Sequence, residues 1–481
     1  MWLLTLIVAL AAASMPAQQR PNVLFLLADD LRADAVGAFG GVDVHTPNLD
    51  ALAARGVRLT QVYCMGSRHG AVCAPSRAML LSGRVLTRAP DDLKGCKTLP
   101  EWLREVGYVT FATGKWHNGD AALRRAFPDA RSVFRGGMCD HRQVPLCDVV
   151  DGEIVRRRNP AGFSTEHFTA AVIDFLQRHR ANDDGKPFFA YVPFTAPHDP
   201  RDPPRQWRER LRNLPRSALP ANFRGQHGLN LGPATMTVRD ENLLGWPRDA
   251  DLLREQLDEY RALVAHLDEQ IGRILAALVE LDYAADTLVV FTSDHGLALG
   301  SHGLLGKQSL YEHSMKAPCI VAGPGVPAGT VRDGLCYLLD LMPTVARAAG
   351  VRDLSGVDGM DLGPMLRGEG RGRAQLLTIY AKSQRALRRG AYKLLRLPQI
   401  DRTLMFDVRD DPFELRDLAG DPEFAEVRRD LERRLREAQR AVGDELAWTA
   451  ERQLPVRIDL TGKRWPPDRW QPQWIRAKYW H

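Results

Sequence analysis

Four apolar runs that each end in polar side chains constrain the fold of this chain more than any other feature. The runs are NVLFLLADD (22–30), GYVTFATGKWH (107–117), KPFFAYVPFTAPHDP (186–200) and DTLVVFTSDHG (286–296). A continuous apolar run is typical of a strand that is buried on both faces of a parallel sheet. Helical patterns separate the runs, and this alternation predicts an α/β protein in which the strand ends meet along one sheet edge.

The helical patterns are clearest in two segments. Residues 46–57 read TPNLDALAARGV, with Thr46 as a candidate N-cap, and residues 251–280 carry apolar side chains at helical spacing. A fifth apolar run, KAPCIVAGPGV (316–326), predicts one more strand. We therefore expect a large, mostly parallel central sheet flanked by helices.

The pattern changes after about residue 370. Segments on either side of a turn at Asp410, Asp411 and Pro412 predict short antiparallel strands, and a charged helix follows near 423–441. We expect the tail to be an irregular strap that buries its indoles against the surface. The predicted units are a main domain (18–370), a smaller C-terminal α+β subdomain with a short antiparallel sheet (371–451) and a Trp-rich C-terminal strap (452–481).

The N-terminal residues predict secretion. An apolar stretch of about a dozen residues is followed by small and polar ones, which is typical of a signal peptide, and we assign it to 1–17. The stretch is too short to span a membrane, so we expect no stable membrane insertion. The chain contains no Asn-x-Ser/Thr site, which favours a bacterial secreted or periplasmic protein over a lysosomal one.

The chain carries a net charge of +6, with arginine in excess of lysine. This charge indicates either attraction to a polyanion or the codon usage of a GC-rich genome. The sequence has no basic run and no recognisable nucleic-acid-binding motif, so we expect no nucleic-acid partner.

The chain has seven cysteines, an odd number, so one thiol lacks a partner wherever disulfides form. Secretion predicts disulfides, although some cysteines could instead be buried free thiols. With Cys73 set aside, Cys139–Cys147 and Cys319–Cys336 are the closest pairs in sequence. Cys73 lies in CAPSR, just before a helical pattern, and therefore at a helix N-terminus, where an anion is favoured. Its sequence context allows a disulfide partner, a thiolate nucleophile or a modified residue.

Carboxylates follow two of the predicted strands: Asp29 and Asp30 after the first, and Asp294 beside His295 after the fourth. Adjacent carboxylates repel one another and need a cation nearby, although Asp29 and Asp30 could instead cap a helix. Three carboxylates suit Ca²⁺ or Mg²⁺, and an imidazole extends the choice towards Mn²⁺ or Zn²⁺.

Cationic side chains lie close to the same strand ends. Together with a divalent metal they would bind a tetrahedral oxyanion, because each cation can take one oxygen. A histidine can donate a proton to a leaving oxygen near neutral pH. The candidates for these roles are Arg77, Lys115, His117, His198 and Lys307.

The residues around Cys73 resemble a known family. Cys73, Pro75, Ser76 and Arg77, followed by LLSG, are similar to the Cys-x-Pro-Ser-Arg-x-x-x-Leu-x-Gly signature of the type I sulfatases, in the alkaline-phosphatase-like superfamily. RPNVLFLLADD, TGKWH, PHDP, SDHGLALGSHGLLGKQSLYEHSMKAP and LMFDVRDDPFELRDLAGDP extend the resemblance from residue 20 to about 425. It implies an alkaline-phosphatase-like fold, a sulfatase catalytic domain over 18–370 and sulfuric ester hydrolase activity.

The resemblance also implies a modified nucleophile. In this family a maturation enzyme oxidises the cysteine to formylglycine (3-oxoalanine), whose hydrated aldehyde attacks sulfur with one hydroxyl and expels sulfate through the other. This modification would account for the odd number of cysteines. By resemblance, one Ca²⁺ is held by Asp29, Asp30, Asp294, His295 and the modified Cys73; many family members have Asn where this chain has His295.

The family implies further roles for the polar residues. Arg77 and Lys115 resemble the groups that polarise the formylglycine hydroxyl, and His117 resembles the base that breaks down the sulfated intermediate. His198 resembles the acid that protonates the departing alcohol, and Lys307 resembles a sulfate clamp.

The resemblance is to bacterial polysaccharide sulfatases and to choline-sulfatase-like and iduronate-sulfatase-like sequences, so the expected substrate is a sulfated carbohydrate, either a glycan or a glycosaminoglycan. A phosphonate or phosphate monoester hydrolase of the superfamily and a non-catalytic sulfated-glycan-binding protein are the alternatives. Each residue that could line a pocket for an anionic sugar could equally be an ordinary surface residue: Arg68, His69, Arg135, His141, Arg142 and Arg201.

Overall fold

Sixteen strands form two sheets in the computed structural model, which describes residues 20–182, 184–212, 214–463 and 468–479. The predicted signal peptide, 1–17, lies outside the described residues. The strands are β1 (Asn22–Ala28), β2 (Gly56–Tyr63), β3 (Gly66–Ser67), β4 (Val109–Lys115), β5 (Asp129–Phe134), β6 (Leu146–Val150), β7 (Glu153–Arg158), β8 (Phe188–Pro193), β9 (Thr287–Ser293), β10 (Lys316–Ala322), β11 (Thr330–Arg332), β12 (Cys336–Tyr337), β13 (Leu376–Tyr380), β14 (Gln384–Arg389), β15 (Tyr392–Leu397) and β16 (Arg402–Asp407).

The four predicted strands that end in polar side chains lie side by side. The eleven-stranded sheet runs β11-β2-β10-β9-β1-β8-β4-β5-β6-β7, with β12 also paired to β2. Strands β9, β1, β8 and β4 pair in parallel, which brings their carboxyl ends to one edge. The predicted fifth strand, β10, runs antiparallel to both of its neighbours, so the sheet is mixed around a parallel centre.

Helices cover both faces of the large sheet. They are α1 (Pro47–Ala54), α2 (Cys73–Ser82), α3 (Leu99–Glu105), α4 (Asp120–Ala126), α5 (Ser164–Asn182), α6 (Arg205–Leu211), α7 (Pro233–Met236), α8 (Ala250–Glu280), α9 (Glu312–Met315), α10 (Leu341–Ala348), α11 (Gly363–Arg367), α12 (Ala425–Ala441) and α13 (Gln473–Tyr479). No described helix combines the length and apolar character that crossing a membrane requires.

Strand β1 shows why its sequence is apolar throughout. Its odd-numbered side chains, such as Phe25, pack into a core that includes helices α2 and α10. Its even-numbered side chains, such as Leu24, pack into a second core with α5 and α8. Both faces of the strand are therefore buried, as the continuous apolar run predicts.

The second sheet has the order β16-β15-β14-β13-β3 and carries helix α12 against it. Strands β13 to β16 form the predicted antiparallel sheet. Strand β3, which is only two residues long, pairs in parallel with β13 and comes from the segment just before Cys73. The C-terminal sheet is thus completed by the N-terminal half of the chain.

The tail is more ordered than predicted, because it ends in helix α13. Trp470 and Trp474 are half-buried, and Ile475 and Tyr479 join the core beside α5 and α8. Trp465 and Trp480, whose indoles were also expected to be buried, lie outside the described residues.

The expectation of disulfides is wrong for this structure, since all seven cysteines are buried free thiols. The pair Cys319–Cys336 shows the physical reason. Cys319 in β10 and Cys336 in β12 lie on opposite sides of β2. Two strand spacings separate them, roughly 9–10 Å, which exceeds the reach of a disulfide.

Candidate active site

The carboxyl ends of β1, β4, β8 and β9 bring together most of the polar residues that the sequence singles out. Asp29 and Asp30 follow β1, Lys115 ends β4, and Asp294 and His295 follow β9. Helix α2 begins here with Cys73 and carries Arg77 one turn later, while His117, His198 and Lys307 reach the edge from loops. Apart from His117, which is half-buried, these side chains are almost fully enclosed.

Asp29 lies between two cationic side chains. Its Oδ2 accepts a hydrogen bond from Lys115 Nζ at 2.5 Å, and Arg77 Nη2 lies 3.6 Å away. Burial alone would raise the pKa of Asp29, but Lys115 and Arg77 hold that pKa well below its usual value. Asp29 is therefore a permanent anion that fixes both cations beneath the helix.

Asp30 lies beside Cys73 in a left-handed backbone conformation, with φ of 64°. Lys307 Nζ donates to both of its carboxylate oxygens, at 2.8 and 3.0 Å, and His198 Nε2 lies 3.7 Å from Oδ2. Burial would lower the pKa of Lys307, but Asp30 raises it well above normal. Lys307 consequently stays cationic at the site.

Cys73 is the first residue of α2, as the sequence predicts, and its Sγ lies 3.3 Å from His295 Nε2. Burial and the negative charge of Asp29 raise the pKa of the Cys73 thiol well above its usual value. The unmodified thiol is therefore protonated here, whereas the thiolate is the form that reacts as a nucleophile. This favours the third option from the sequence, a modified residue, over a thiolate.

Four side chains offer ligand atoms that all lie within 4.8 Å of one another: Asp29, Asp30, Cys73 and His295. Among the described residues, the buried Asp29 Oδ1 has no hydrogen-bond partner. Asp294 is adjacent, with its Oδ1 at 3.5 Å from His295 Nε2. An unpartnered carboxylate oxygen in an oxygen-rich cluster fits a hard divalent cation.

Asp294 also anchors α2 to the sheet. Its Oδ2 accepts from Arg77 Nε at 3.1 Å, and its backbone carbonyl accepts from Ser76 Oγ at 2.5 Å. Burial and the neighbouring Asp29 raise the pKa of Asp294. A bound cation would relieve this repulsion between the carboxylates.

His117 is held neutral. Burial, together with the positive charges of Lys115 and Arg77, lowers its pKa to about 2. Its buried Nδ1 has no hydrogen-bond partner in the described part of the chain. The neutral imidazole keeps a ring nitrogen free of a proton, but a pKa this low makes it a weak base unless an anion lies beside it.

His198 is positioned by the residues on either side of it. Its Nδ1 bonds to the Asp199 carbonyl at 2.8 Å, which leaves Nε2 directed towards Asp30. His141 Nε2 bonds to the His198 carbonyl at 2.8 Å, and His141 Nδ1 bonds to Ser164 Oγ at 2.9 Å. His141, predicted from the sequence to contact substrate, lies in the structure behind His198 and is only 2 % exposed.

The other residues predicted to line a sugar pocket are dispersed. Arg68 and His69 lie on an exposed loop whose Gly70 carbonyl accepts from Gln308, next to Lys307. Arg201 is buried and donates to Gln256. Arg135 is paired with Asp120 and Arg142 with Asp202. Contact of these residues with substrate remains a prediction.

Acidic, amide and cationic side chains that contact Lys307 and Asp199 were not predicted from the sequence. Asp240 Oδ2 accepts from Gln308 at 2.8 Å and lies 3.7 Å from Lys307 Nζ. Arg239 pairs with Asp199, beside His198. In the sequence, only the position of Gln308 next to Lys307 could have indicated these contacts. The loop around Asp240 has no periodic pattern that would have identified it as part of the site.

Comparisons with known proteins agree with this geometry. The family model described as Sulfatase matches residues 21–351, and the model described as N-sulphoglucosamine sulphohydrolase, C-terminal, matches residues 300–441. The second match includes all of β13–β16, the antiparallel part of the second sheet.

Two curated relatives cover most of the chain. An N-acetylglucosamine-6-O-sulfatase of Bacteroides thetaiotaomicron is 26 % identical over 92 % of this chain and 91 % of its own. The N-acetylgalactosamine-6-sulfatase of Canis lupus familiaris is 30 % identical over 76 % of this chain and 70 % of its own.

Solved structures share the fold. A protein in complex with its substrate D-glucosamine-2-N,6-O-disulfate superimposes with a TM-score of 0.74 at 24 % identity, covering 89 % of this chain and 99 % of its own. A phosphonate monoester hydrolase from Silicibacter pomeroyi gives a TM-score of 0.68 at 25 % identity, covering 89 % and 96 %.

Proposed function

Since this chain belongs to the sulfatase family and is a sulfuric ester hydrolase, we propose that it hydrolyses O-sulfate esters of a sulfated carbohydrate, such as a glycosaminoglycan or another glycan, and releases inorganic sulfate. The relatives named for N-acetylglucosamine and N-acetylgalactosamine sulfate esters support a sugar substrate. So does the fold shared with a protein that was solved with a disulfated glucosamine.

The observation that carries the proposed chemistry is the environment of Cys73. Its thiol is enclosed at a helix N-terminus among cations, yet its pKa is raised, so it is a poor thiolate nucleophile. We therefore propose that Cys73 is converted to formylglycine. In its hydrated form this group supplies a nucleophilic hydroxyl and a second hydroxyl on the same carbon.

We also propose that one Ca²⁺ binds at this sheet edge. Asp29, Asp30, Asp294 and His295, with the modified Cys73, would hold it, and the unpartnered Asp29 Oδ1 supports this set. The ion supplies positive charge that stabilises anionic oxygens at the reaction centre.

The protein residues then have separate tasks. Arg77 and Lys115 hold positive charge next to residue 73, and Lys307 is positioned to bind a sulfate oxygen. His117 is neutral, and an anionic sulfate ester bound beside it would raise its pKa and allow it to accept a proton. His198 Nδ1 donates to the Asp199 carbonyl, which directs Nε2 into the site. As an imidazolium, His198 would donate the Nε2 proton to the leaving alcohol oxygen.

We also propose that the protein is secreted to the periplasm or the exterior. We further propose that a formylglycine-generating enzyme modifies it. Both rest on the N-terminal pattern and on the signature around Cys73. Mass spectrometry of the mature N-terminus and of the peptide containing Cys73 tests them together.

Activity assays test the reaction itself. A Cys73→Ala variant is expected to lose at least roughly 10³-fold in kcat/KM with an aryl sulfate, because the nucleophile is removed. Cys147→Ala removes a buried thiol outside the site and should retain activity within a few-fold. Chelation should abolish turnover, and Ca²⁺ should restore it.

Two results would contradict the proposal. Undiminished activity of Cys73→Ala would exclude the nucleophile. A large preference for an aryl phosphonate over the aryl sulfate would instead assign the chain to the phosphonate hydrolases, whose fold it shares.

A further inference from the structure

A basic cleft lies outside the strand-end site, between the edge of the large sheet and the second sheet. Its volume is about 750 Å³, within the range of ligand-binding pockets. It is bordered by the start of β10, by β11, by the segment after α11 and by the turn after β16. Its lining includes six cationic side chains and one carboxylate, Asp333: Lys316, Arg332, Arg371, Arg373, Arg388 and Arg409.

Carboxylates of the protein neutralise part of this positive charge. Arg373 pairs with Asp340 and Arg409 with Asp410. Arg332 donates to backbone carbonyls, whereas Arg388 donates to backbone carbonyls and also interacts with the Tyr63 hydroxyl and the Glu312 carboxylate. The ammonium of Lys316 and the guanidinium of Arg371 have no ion-pair or hydrogen-bond partner among residues 20–182, 184–212, 214–463 and 468–479. Glu312 lies near Lys316 and Arg388 and offsets part of their charge, but the lining keeps an excess of positive charge, which attracts anions.

This excess of charge is specific to the cleft and not a property of the whole surface. A neighbouring cleft of about 900 Å³ on the second sheet is lined by five arginines and four carboxylates, so its charges nearly balance. The arginine-rich composition of the chain therefore does not account for the basic cleft by itself.

We propose that the basic cleft binds a sulfated segment of the glycan chain at a distance from the ester that is hydrolysed. This inference rests on the proposed function and extends its substrate from single sugars to oligosaccharides. None of the residues assigned to the active site lines the cleft. One guanidinium group can bind two oxygens of a sulfate group. A glycan that binds at both the cleft and the active site has a higher effective concentration at the active site.

The lining of the cleft favours a glycan over a nucleic acid. Its described side chains include no aromatic ring. Proteins that bind single-stranded nucleic acids stack bases on aromatic rings. Separated guanidinium groups without such rings suit sulfate groups on a saccharide chain.

The cleft also contacts the active-site loop through the backbone. Gly296 follows His295, and a Cβ atom on Gly296 would lie only 2.9 Å from the carbonyl oxygen of Lys316. Lys316, one of the cations of the cleft, therefore belongs to a segment that packs beside His295, a proposed metal ligand.

The test uses the full chain and a direct binding measurement. A heparin octasaccharide and a chondroitin sulfate octasaccharide are titrated into Cys73→Ala protein with and without Lys316→Ser and Arg371→Ser. We expect the double substitution to weaken binding of a sulfated octasaccharide at least tenfold and to reduce the salt dependence of binding. The desulfated octasaccharides should bind equally weakly to both proteins.

The matched control is Arg402→Ser with Arg457→Ser in the balanced cleft, since both arginines are exposed and form no ion pair with any described residue. This control should leave octasaccharide binding unchanged. In otherwise wild-type protein, Lys316→Ser with Arg371→Ser should leave aryl sulfate turnover unchanged while raising KM for the octasaccharide.

Equal octasaccharide affinity with and without the Lys316 and Arg371 substitutions would overturn the inference, as would equally tight binding of a DNA oligonucleotide of the same length. Because aryl sulfate turnover is measured separately, an active enzyme with unaltered binding would refute the cleft alone. A wild-type protein inactive on aryl sulfate would instead count against the proposed function.

Discussion

His141 is a residue whose role follows from its hydrogen bonds. It is stacked on Phe163, and its Nε2 faces the His198 carbonyl, so this nitrogen carries the proton and donates. Burial lowers the pKa of His141, which keeps the ring neutral. These contacts place His141 behind the proposed acid and not against the substrate.

Replacing His141 by Phe should therefore impair positioning. Loss of the donor leaves the His198 carbonyl unsatisfied and lets the loop shift, and a misplacement of about 1 Å costs roughly 10²-fold. We expect that loss in kcat with little change in KM. His141→Gln, which can still donate to the carbonyl, should recover part of the activity; a rise in KM at constant kcat would instead indicate substrate contact.

Single residues at strand ends were predictable, whereas residues on loops were not. Asp29, Lys115 and Asp294 each follow or end an apolar run, so strand direction alone places them together. Asp240 and Arg239 come from a loop with no repeating pattern. Only three-dimensional folding brings that loop to Lys307 and Asp199.

At the scale of elements, the short strand β3 couples the second sheet to the segment before Cys73. Gly66 adopts φ of 104° where it pairs with β13. A Cβ atom there would lie 2.0 Å from the Ile379 carbonyl oxygen, a backbone atom that cannot easily move. Only glycine is compatible with this close approach.

Gly66→Ala should consequently destabilise the protein. The positive φ alone costs roughly 1–3 kcal/mol, and the clash with Ile379 adds to it, so we expect a lower midpoint of thermal unfolding. Gly70 is four residues away, with a negative φ and open space around its Cα, and Gly70→Ala should be tolerated. Equal unfolding midpoints for the two variants would contradict the coupling.

The direction of β10 and the existence of β3 were beyond sequence reasoning. An apolar run reads the same in a parallel and an antiparallel strand, so KAPCIVAGPGV could not reveal that β10 is reversed. A strand of two residues such as Gly66–Ser67 is too short to show any alternation.

At the scale of the whole molecule, the C-terminal tail supports active-site residues that lie more than 200 residues away in the sequence. Gln471 Nε2 donates to Asp199 Oδ2 at 2.5 Å, and Asp468 pairs with Arg239. Burial would raise the pKa of Asp199, but Arg239 and His198 hold it well below normal, so Asp199 is anionic. The tail thus steadies the pair beside His198.

Gln471→Glu should weaken this arrangement by placing a second carboxylate against Asp199. We expect a loss of roughly 1–3 kcal/mol in unfolding free energy and a several-fold drop in kcat. Gln473→Glu makes the same change on an exposed residue of α13 and should have no effect. If both variants keep full activity and stability, the tail does not support the site.

The overall architecture follows from the alternation of apolar runs and helices, and the fold shared with a solved structure agrees with it. The proposed unit boundaries at 370 and 451 remain predictions. The structure of the tail was hard to foresee, because α13 is held by contacts to α8 and α6, such as Lys478 with Glu255 and Trp474 with Arg208, and not by a strong pattern of its own.

The pairing of β3 with β13 can form only late in the synthesis of the chain. Gly66 and Ile379 are more than 300 residues apart, and a ribosome adding 5–20 residues per second needs roughly 15 to 60 s to reach the second after the first. Until β13 emerges, the segment leading to Cys73 lacks its partner strand. During this interval, which is set by the length of the chain between the two strands, the segment that the proposed maturation enzyme would recognise is not yet paired.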